Sequence, residues 1–473
     1  FIRRPGIPVF SGRKGKGAGL IRQFENERFL TVEKGLKTMS GPFFLPGSPK
    51  KSKIYEKRVI LAQSRAEPLV IQGHTSLLSL SYICSMQLIE VNSKKLANEF
   101  ILVNVEINKN VPAYIRPLDK DIHEIFDPKK NKAYRFGETM RWILKDDNGK
   151  LIGRIAAYVN KKYRTKGDEF PVGGIGFFDC IDDQQAADML FDVAKHWLMQ
   201  KGMEAMDGPI NFGERDRWWG LIVEGFHATP YGMNYNQPYY RALFENYGFK
   251  CFFNQYCYGL DPKREVSPKI IERHAMLAKD PGYKARHIKK NQLEKFAGDF
   301  ATIYNKAWAG HGGMKELKKE QVHALFKKMK PVMDEKIVWF VYYNEQPIAL
   351  FVNIPDLNQW FKYLNGKFDW WHKLKFIWYK LTKKNTRFSG LAFGIVPEFQ
   401  GTGVDAFMIN EAKFVVQPQT DYEEYELLWI GDFNPKMINV AENFGDTYRS
   451  RHLITYRYIF DRNREFKRHP IFN

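Results

Sequence analysis

The alternation of apolar and polar positions predicts a strand pair in two places. Residues 141–144 and 151–159 flank Asp146-Asp147-Asn148-Gly149, a turn sequence. Residues 336–343 and 348–354 flank Asn344-Glu345-Gln346-Pro347. Helical patterns follow at 239–245 and 435–442, and Gly248 and Gly445 stand where left-handed caps would stop them. Aromatic strand-like runs come next, at 252–260 and 453–460. The junctions share a signature, Glu245-Asn246-Tyr247-Gly248 and Glu442-Asn443-Phe444-Gly445. Each half reads strand, strand, strand, helix, strand, helix, strand. That order predicts two copies of one α/β unit of roughly 180–200 residues, meeting near 262–268.

Charge changes the picture at one end. The 473 residues carry a net +20, yet residues 1–85 hold 15 Lys/Arg against 5 Asp/Glu, half of the excess. A basic balance favours anionic partners. With half of it confined to this stretch, the body is only mildly basic and nucleic acid is a weak expectation. The stretch is poorly periodic, and Met86 opens a different texture. Residues 1–85 therefore read as a basic extension, disordered or foreign to the natural chain, with an anion-binding arm as the alternative. Residues 86–262 form the first unit and 263–473 the second. Cys84, Cys180, Cys251 and Cys257 are scattered, with no CxxC and no Cys/His cluster, so no metal site is expected. Scattered thiols suit a reducing compartment. The longest uncharged stretch, 68–89, is too polar for a good spanning helix. The expectation is a cytoplasmic protein, or one peripheral to the inner membrane.

The chemistry centres on Gly390-Leu391-Ala392-Phe393-Gly394-Ile395-Val396-Pro397, continuing to Gln400-Gly401-Thr402-Gly403 and an apolar helix at 404–416. Backbone N–H groups of such a turn and the positive end of the helix converge on one anion, and glycine lets it approach. The turn is neither a P-loop nor a dinucleotide GxGxxG. It resembles the acetyl-CoA-binding core of the GNAT N-acyltransferase superfamily, Q/R-x-x-G-x-G/A after a fourth strand. Gln400 and Gly403 match, whereas position 405 is Asp where the family has Gly or Ala. Asn434, opening a helix after a strand at 425–430, matches the family's Asn near the cofactor. The first half resembles the same fold through Tyr240 to Phe249. Its equivalent turn, 178–187, is acidic at Asp179, Asp182 and Asp183, so it is not expected to hold pyrophosphate. The whole is similar to tandem GNAT-like bacterial proteins and, more loosely, to ceramide-forming N-acyltransferases.

The resemblance implies an α/β (α+β) fold of two units, each a mixed, mainly antiparallel sheet flanked by helices. It implies acyl transfer from acyl-CoA, or an acyl carrier protein thioester, to an amine that is a small molecule or a lipid. Ile395, Val396, Gln400, Gly401, Thr402, Gly403, Val404 and Asn434 would hold the donor, with a backbone amide near Ile395 or Val396 on the thioester carbonyl. Glu426 and Asp432 are candidate bases, and Tyr448 or Tyr456 could protonate the leaving thiolate. A non-catalytic GNAT-like binding protein, with Asp405 marking lost activity, and a nucleic-acid binder are the alternatives.

Two further segments stand out. A polar-aromatic run from Asn211 to Gly220, followed by His227, Tyr231, Asn234 and Tyr235, makes a long loop. Long loops are disproportionately functional. Glu214, Asp216, Trp218, His227 and Tyr231 are its candidate substrate contacts, against a salt-bridged structural loop. Residues 359–384 hold nine aromatics and seven lysines with one acid, Asp369. Trp370, Leu374, Ile377 and Leu381 form one helical stripe. This basic amphipathic segment could contact an anionic bilayer, or pack on its own domain and leave a basic face to solvent.

Overall fold

The computed structural model describes residues 86–165, 167–213, 215, 217–307, 316–443 and 445–471. The expected extension 1–85 lies outside the described residues. In chain order the first half is β1 (Gln87–Glu90), α1 (Lys94–Asn108), α2 (Asp119–Ile125), β2 (Gly137–Lys145), β3 (Leu151–Asn160), β4 (Val172–Cys180), α3 (Gln184–Gln200), β5 (Ala205–Gly208), β6 (Leu221–Glu224), α4 (Tyr240–Tyr247) and β7 (Lys250–Leu260). The second half is α5 (Pro268–Leu277), β8 (Tyr283–His287), α6 (Leu293–Ala307), α7 (Lys319–Met329), β9 (Val338–Tyr343), β10 (Gln346–Pro355), α8 (Asn358–Phe361), α9 (Trp370–Thr382), β11 (Arg387–Ile395), α10 (Val404–Gln419), β12 (Glu424–Gly431), α11 (Pro435–Glu442) and β13 (Tyr448–Ile459).

The fold is α/β, a single mainly antiparallel sheet flanked by helices. Its strand order is β1-β2-β3-β4-β5-β13-β7-β12-β11-β10-β9-β8, with β6 on β13. Two parallel pairs repeat the same device, β4 with β5 across α3 and β11 with β12 across α10. Both expected hairpins form. The second turns at Asn344 and Glu345, both at positive φ, which matches the twist of its strands.

Sequence periodicity did not foretell the exchange of last strands. β7, which ends the first half, pairs with β12; β13, which ends the second, pairs with β5 and β7. Each half's sheet is thereby extended by the other's final strand. Two large cores result. One packs α6, α7 and α10 against β9–β11, around Phe300, Phe326, Phe340 and Leu350. The other packs α3 and α4 against β2–β4 and includes Tyr456 of β13.

Helix α9 forms where the stripe predicts it, capped by Asp369, whose carboxylate accepts from the His372 amide. Phe376 is buried against Trp360, Phe361 and Phe368. The predicted stripe faces outward: Trp370, Leu374, Ile377 and Leu381 are exposed, as are Trp371 (65%) and Trp378 (63%). No helix among the described residues is long and apolar enough to cross a membrane.

Candidate active site

β11 and β12 pair in parallel from Arg387↔Glu424 to Gly390↔Leu427 and then part. Beyond that point β11 stays with β10 as far as Ala349↔Ile395, while β12 follows β7 at Ile430↔Tyr256. The divergence opens a wedge, and a cavity of about 40 Å³ there is lined by Leu391, Phe393, Leu428, Ile430, Asn434 and Met437. Backbone amides on the parted edges lose their ladder partners and can serve a guest. The Val396 amide is not one of them, because it donates to the Ile348 carbonyl at 2.9 Å. Strand alternation turns the Ile395 amide to the opposite edge, toward the wedge. Gly390 sits at the fork, where an added Cβ would meet the Tyr425 hydroxyl at 2.4 Å.

The glycine turn follows directly. Gln400 Nε2 donates to the Ile395 carbonyl (2.9 Å) and Thr402 Oγ1 to the Phe399 carbonyl (2.7 Å), which fixes the loop. Gly401 and Gly403 have φ of +77° and +94°, where a side chain would be strained. Gly403 is the N-cap of the sixteen-residue α10, whose Val404 is buried. The unpaired N–H groups of its first turn form a positive end suited to phosphate. Asp405 lies in that first turn, a fixed negative charge beside the turn. Asn434 caps α11 by accepting from the Met437 amide.

A cluster of charged side chains lies beside the fork. Glu424 and Glu426 share a face because strand side chains alternate. Glu426 is fully buried. Its Oε1 accepts from Arg451 Nε (2.7 Å) and Ser450 Oγ (3.1 Å). Among the described residues its Oε2 has no hydrogen-bond partner, nor does Oγ of Ser389, its cross-strand neighbour. Arg387 Nη1 stands 3.7 Å from Glu426 and 3.8 Å from Glu424. Burial pushes the Glu424 carboxyl above the usual range, Arg387 opposes the shift, and Glu426 adds to it. His227 comes from the first half's long loop. Partial desolvation at the edge of the cluster and the Arg451 guanidinium push its imidazole down to about 4, so it is neutral at pH 7.

That loop is clamped onto the second half. Arg451 donates to the carbonyls of Gly225, His227 and Ala228 at 2.7–2.8 Å. Arg387 donates to Ala228 and pairs with buried Asp356 at 2.6 Å. The Tyr231 amide donates to Asp356 (2.9 Å), and Asn358 donates to Thr229 (2.8 Å). His227, Glu424 and Glu426 offer ligand atoms within 4.8 Å of one another, close enough to share a cation. Arg451 and Arg387 compete for the same carboxylates, so the cluster is better suited to moving a proton.

The structure gathers some of the predicted residues and scatters others. Glu426 and His227 meet, and Tyr448 feels both Glu424 and Glu426. Tyr231 lies just behind, its hydroxyl donating to Asp121 (2.7 Å) and accepting from Arg217 (2.8 Å). Tyr456 is not brought here. Strand exchange carries it into the first half's core, where its hydroxyl donates to Glu245 (3.0 Å). Asp432 stands past the far end of β12, held by Arg468 (2.6 Å) and Asn254 (2.8 Å). Trp218 is buried against Phe177 and Arg217. Glu214 and Asp216 lie outside the described residues. Sequence reasoning missed Glu424, Ser389, Arg387, Arg451 and Asp356. Glu424 was discoverable from its i,i+2 spacing to Glu426, whereas the arginines gave no local signal.

No family model matches the chain. It is 25% identical over 381 residues to the bacterial ceramide synthase of Caulobacter vibrioides, covering 79% of this chain and 96% of that protein. It is 23% identical over 313 residues to protein YghO of Escherichia coli, covering 64% and 78%. Among solved structures it is similar to a tandem GNAT protein from the clavulanic acid biosynthesis pathway (10% identity, TM-score 0.44, 79% of this chain and 98% of that one). It is also similar to a glucosamine N-acetyltransferase region of a fungal β-N-acetylglucosaminidase (11%, TM-score 0.46, 79% and 38%).

Proposed function

We propose that this protein is an N-acyltransferase that moves an acyl group from a CoA-type thioester to a long-chain amine. The observation that carries the reading is a strand wedge flanked by a glycine cradle, with Glu426 Oε2 and Ser389 Oγ beside its fork, neither hydrogen-bonded among the described residues. In this reading residues 263–473 hold the donor. Residues 86–262 complete the acceptor side through the His227 loop.

The chemistry follows from the residues. The turn from Gln400 to Val404, with Asn434 beyond, receives the donor's polar end, and its thioester arm enters the wedge. The amine nitrogen attacks the thioester carbon, so a C–N bond forms and the C–S bond breaks. Glu426 Oε2, directly or through water, takes the amine proton, and neutral His227 is placed to relay it. The Ile395 amide supports the developing oxyanion. Tyr448 returns a proton to the leaving thiolate.

Two features support a long-chain substrate. A second, mainly apolar cavity of about 90 Å³ shares the lining residues Phe351 and Tyr425 with the wedge and is also lined by Leu260, Val266, Ile409 and Val416. The outward Trp and Leu stripe of α9, set among lysines, gives a surface for peripheral contact with an anionic membrane. The relative named bacterial ceramide synthase agrees with a sphingoid-type amine as acceptor.

The test is calorimetric titration with acetyl-CoA and palmitoyl-CoA, beside a Gly403→Trp variant. Thiol release is then followed on adding a long-chain amine. Saturable binding abolished in the variant, with amine-dependent thiol release, is the expected result. Binding without release would leave a binding protein, and no binding would remove the acyl-CoA reading.

A further inference from the structure

We propose that the first half holds a separate binding site for a phosphorylated small molecule bearing at least two negative charges. The inference does not rest on the acyltransferase reading. A cavity of about 820 Å³ opens between α2, the segment after it, the end of β3 and the loop that follows β5. It shares no lining residue with the wedge.

Its charge is one-sided. Among the described residues, nine lysines and arginines line it against two acids, Asp121 and Glu124. Both acids are already engaged. Asp121 takes Arg217 and the Tyr231 hydroxyl, and Glu124 takes Lys130 at 3.2 Å. Lys129, Lys132, Arg135 and Arg164 have no carboxylate partner among the described residues. Like charges focused in one concave wall repel one another and attract an anion.

The lining also carries unused hydrogen-bonding groups. Tyr158 Oη, Asn211 Nδ2 and Trp219 Nε1 belong to buried residues that line the cavity, and none has a hydrogen-bond partner among the described residues. Desolvation holds the Tyr158 phenol protonated, so all three can donate. Buried donors without partners are rare in folded proteins and are satisfied by a ligand or water. Three donors call for a guest rich in acceptors, and the surrounding cations call for its negative charge. A phosphate ester or diphosphate meets both demands.

The architecture holds these groups in place. Asn131 Nδ2 donates to the carbonyls of Ile125 (2.9 Å) and Phe212 (3.0 Å), tying wall to floor. The Tyr158 and Phe212 rings stack at 5.7 Å, and Lys162 Nζ stands 3.5 Å from the centroid of the Phe136 ring, both in the cavity lining.

The test uses the full chain in calorimetry with inorganic pyrophosphate and glycerol 3-phosphate. The comparison is with a Lys132→Glu/Arg164→Glu double variant and with Gly403→Trp. Both reversed residues are exposed, so the double variant should fold. The expected result is saturable binding, at least tenfold weaker in the double variant and retained in Gly403→Trp, where the glycine cradle no longer takes up the probe. Phosphatidic acid in phosphatidylcholine vesicles forms a second arm. Soluble ligands alone binding would assign a free phosphate ester. Vesicle binding that pyrophosphate competes away would assign a lipid phosphate. No saturable binding in either arm overturns the proposal, as does binding lost in Gly403→Trp but kept in the double variant.

Discussion

Arg451 Nε stands 2.7 Å from Glu426 Oε1, and neither side chain is exposed. They come from β13 and β12, which are not neighbours, since β7 runs between them. Gly259 of β7 pairs with both Glu426 and Tyr448. A Cβ there would meet the Tyr448 ring at 2.6 Å. Arg451→Met should therefore leave the buried carboxylate with only the more distant Arg387 to oppose its charge and cost about 3–5 kcal/mol, and adding Glu426→Leu should restore part of the loss. Urea denaturation of the single and double variants measures this. A single variant within about 1 kcal/mol of the parent would contradict the burial described.

Glu426→Gln keeps the shape of the side chain and removes the proton acceptor. Turnover should fall by about 10²–10⁴-fold while acyl-CoA affinity stays within a few-fold. Steady-state kinetics beside donor titration separates the two. Equal loss of both would assign Glu426 a structural part only.

Gly390→Ala pushes a methyl group toward the Tyr425 hydroxyl at the fork, 2.4 Å away before relaxation. Overpacking there should cost roughly 1–3 kcal/mol. Donor affinity should fall in Gly390→Ala and recover in a Gly390→Ala/Tyr425→Phe pair. Unchanged affinity in the single variant would move the donor away from the wedge.

His469 is buried against Phe433 with ring centroids 4.2 Å apart. Burial pushes its imidazole down to about 4, the Pro470 carbonyl opposing and Arg215 and Arg457 assisting. An unfolded histidine protonates near 6.5, so between about 4 and 6.5 the unfolded chain binds more protons. The stability His469 contributes is full above about pH 6.5 and is lost as pH falls toward 4. Its share is at most about 3 kcal/mol. Denaturant midpoints from pH 7 to 4.5 should fall less steeply in His469→Gln, and an unaltered slope would reject the assignment.

Trp371, Trp378 and Leu381 are 65%, 63% and 79% exposed on α9. Replacing all three with Ala should change folding stability little, roughly within 0.5 kcal/mol per site. Sedimentation with phosphatidylglycerol vesicles should be lost, with neutral vesicles as the control. Binding that survives the triple variant would place membrane contact elsewhere.

Local pattern determined much of this protein. The hairpins at β2–β3 and β9–β10, the helix opened by Asn434, the glycine turn before α10 and the stripe on α9 were legible. Each depends on side chains a few residues apart. The resemblance to the GNAT fold, rather than local pattern, pointed to Glu426 on its strand, and the polar-aromatic run singled out the His227 loop.

What only the tertiary structure decided was partnership across long separations. Arg451 and Gly225 lie 226 residues apart in sequence yet share a hydrogen bond. Period-two alternation says which face a strand presents, but not which strand lies beside it. The exchange of β7 and β13 therefore went unread, and with it the burial of Tyr456 in the other half's core. The outward turn of the α9 stripe was equally hidden. An amphipathic pattern gives the two faces of a helix, and only packing of the remaining chain decides which one stays open to solvent.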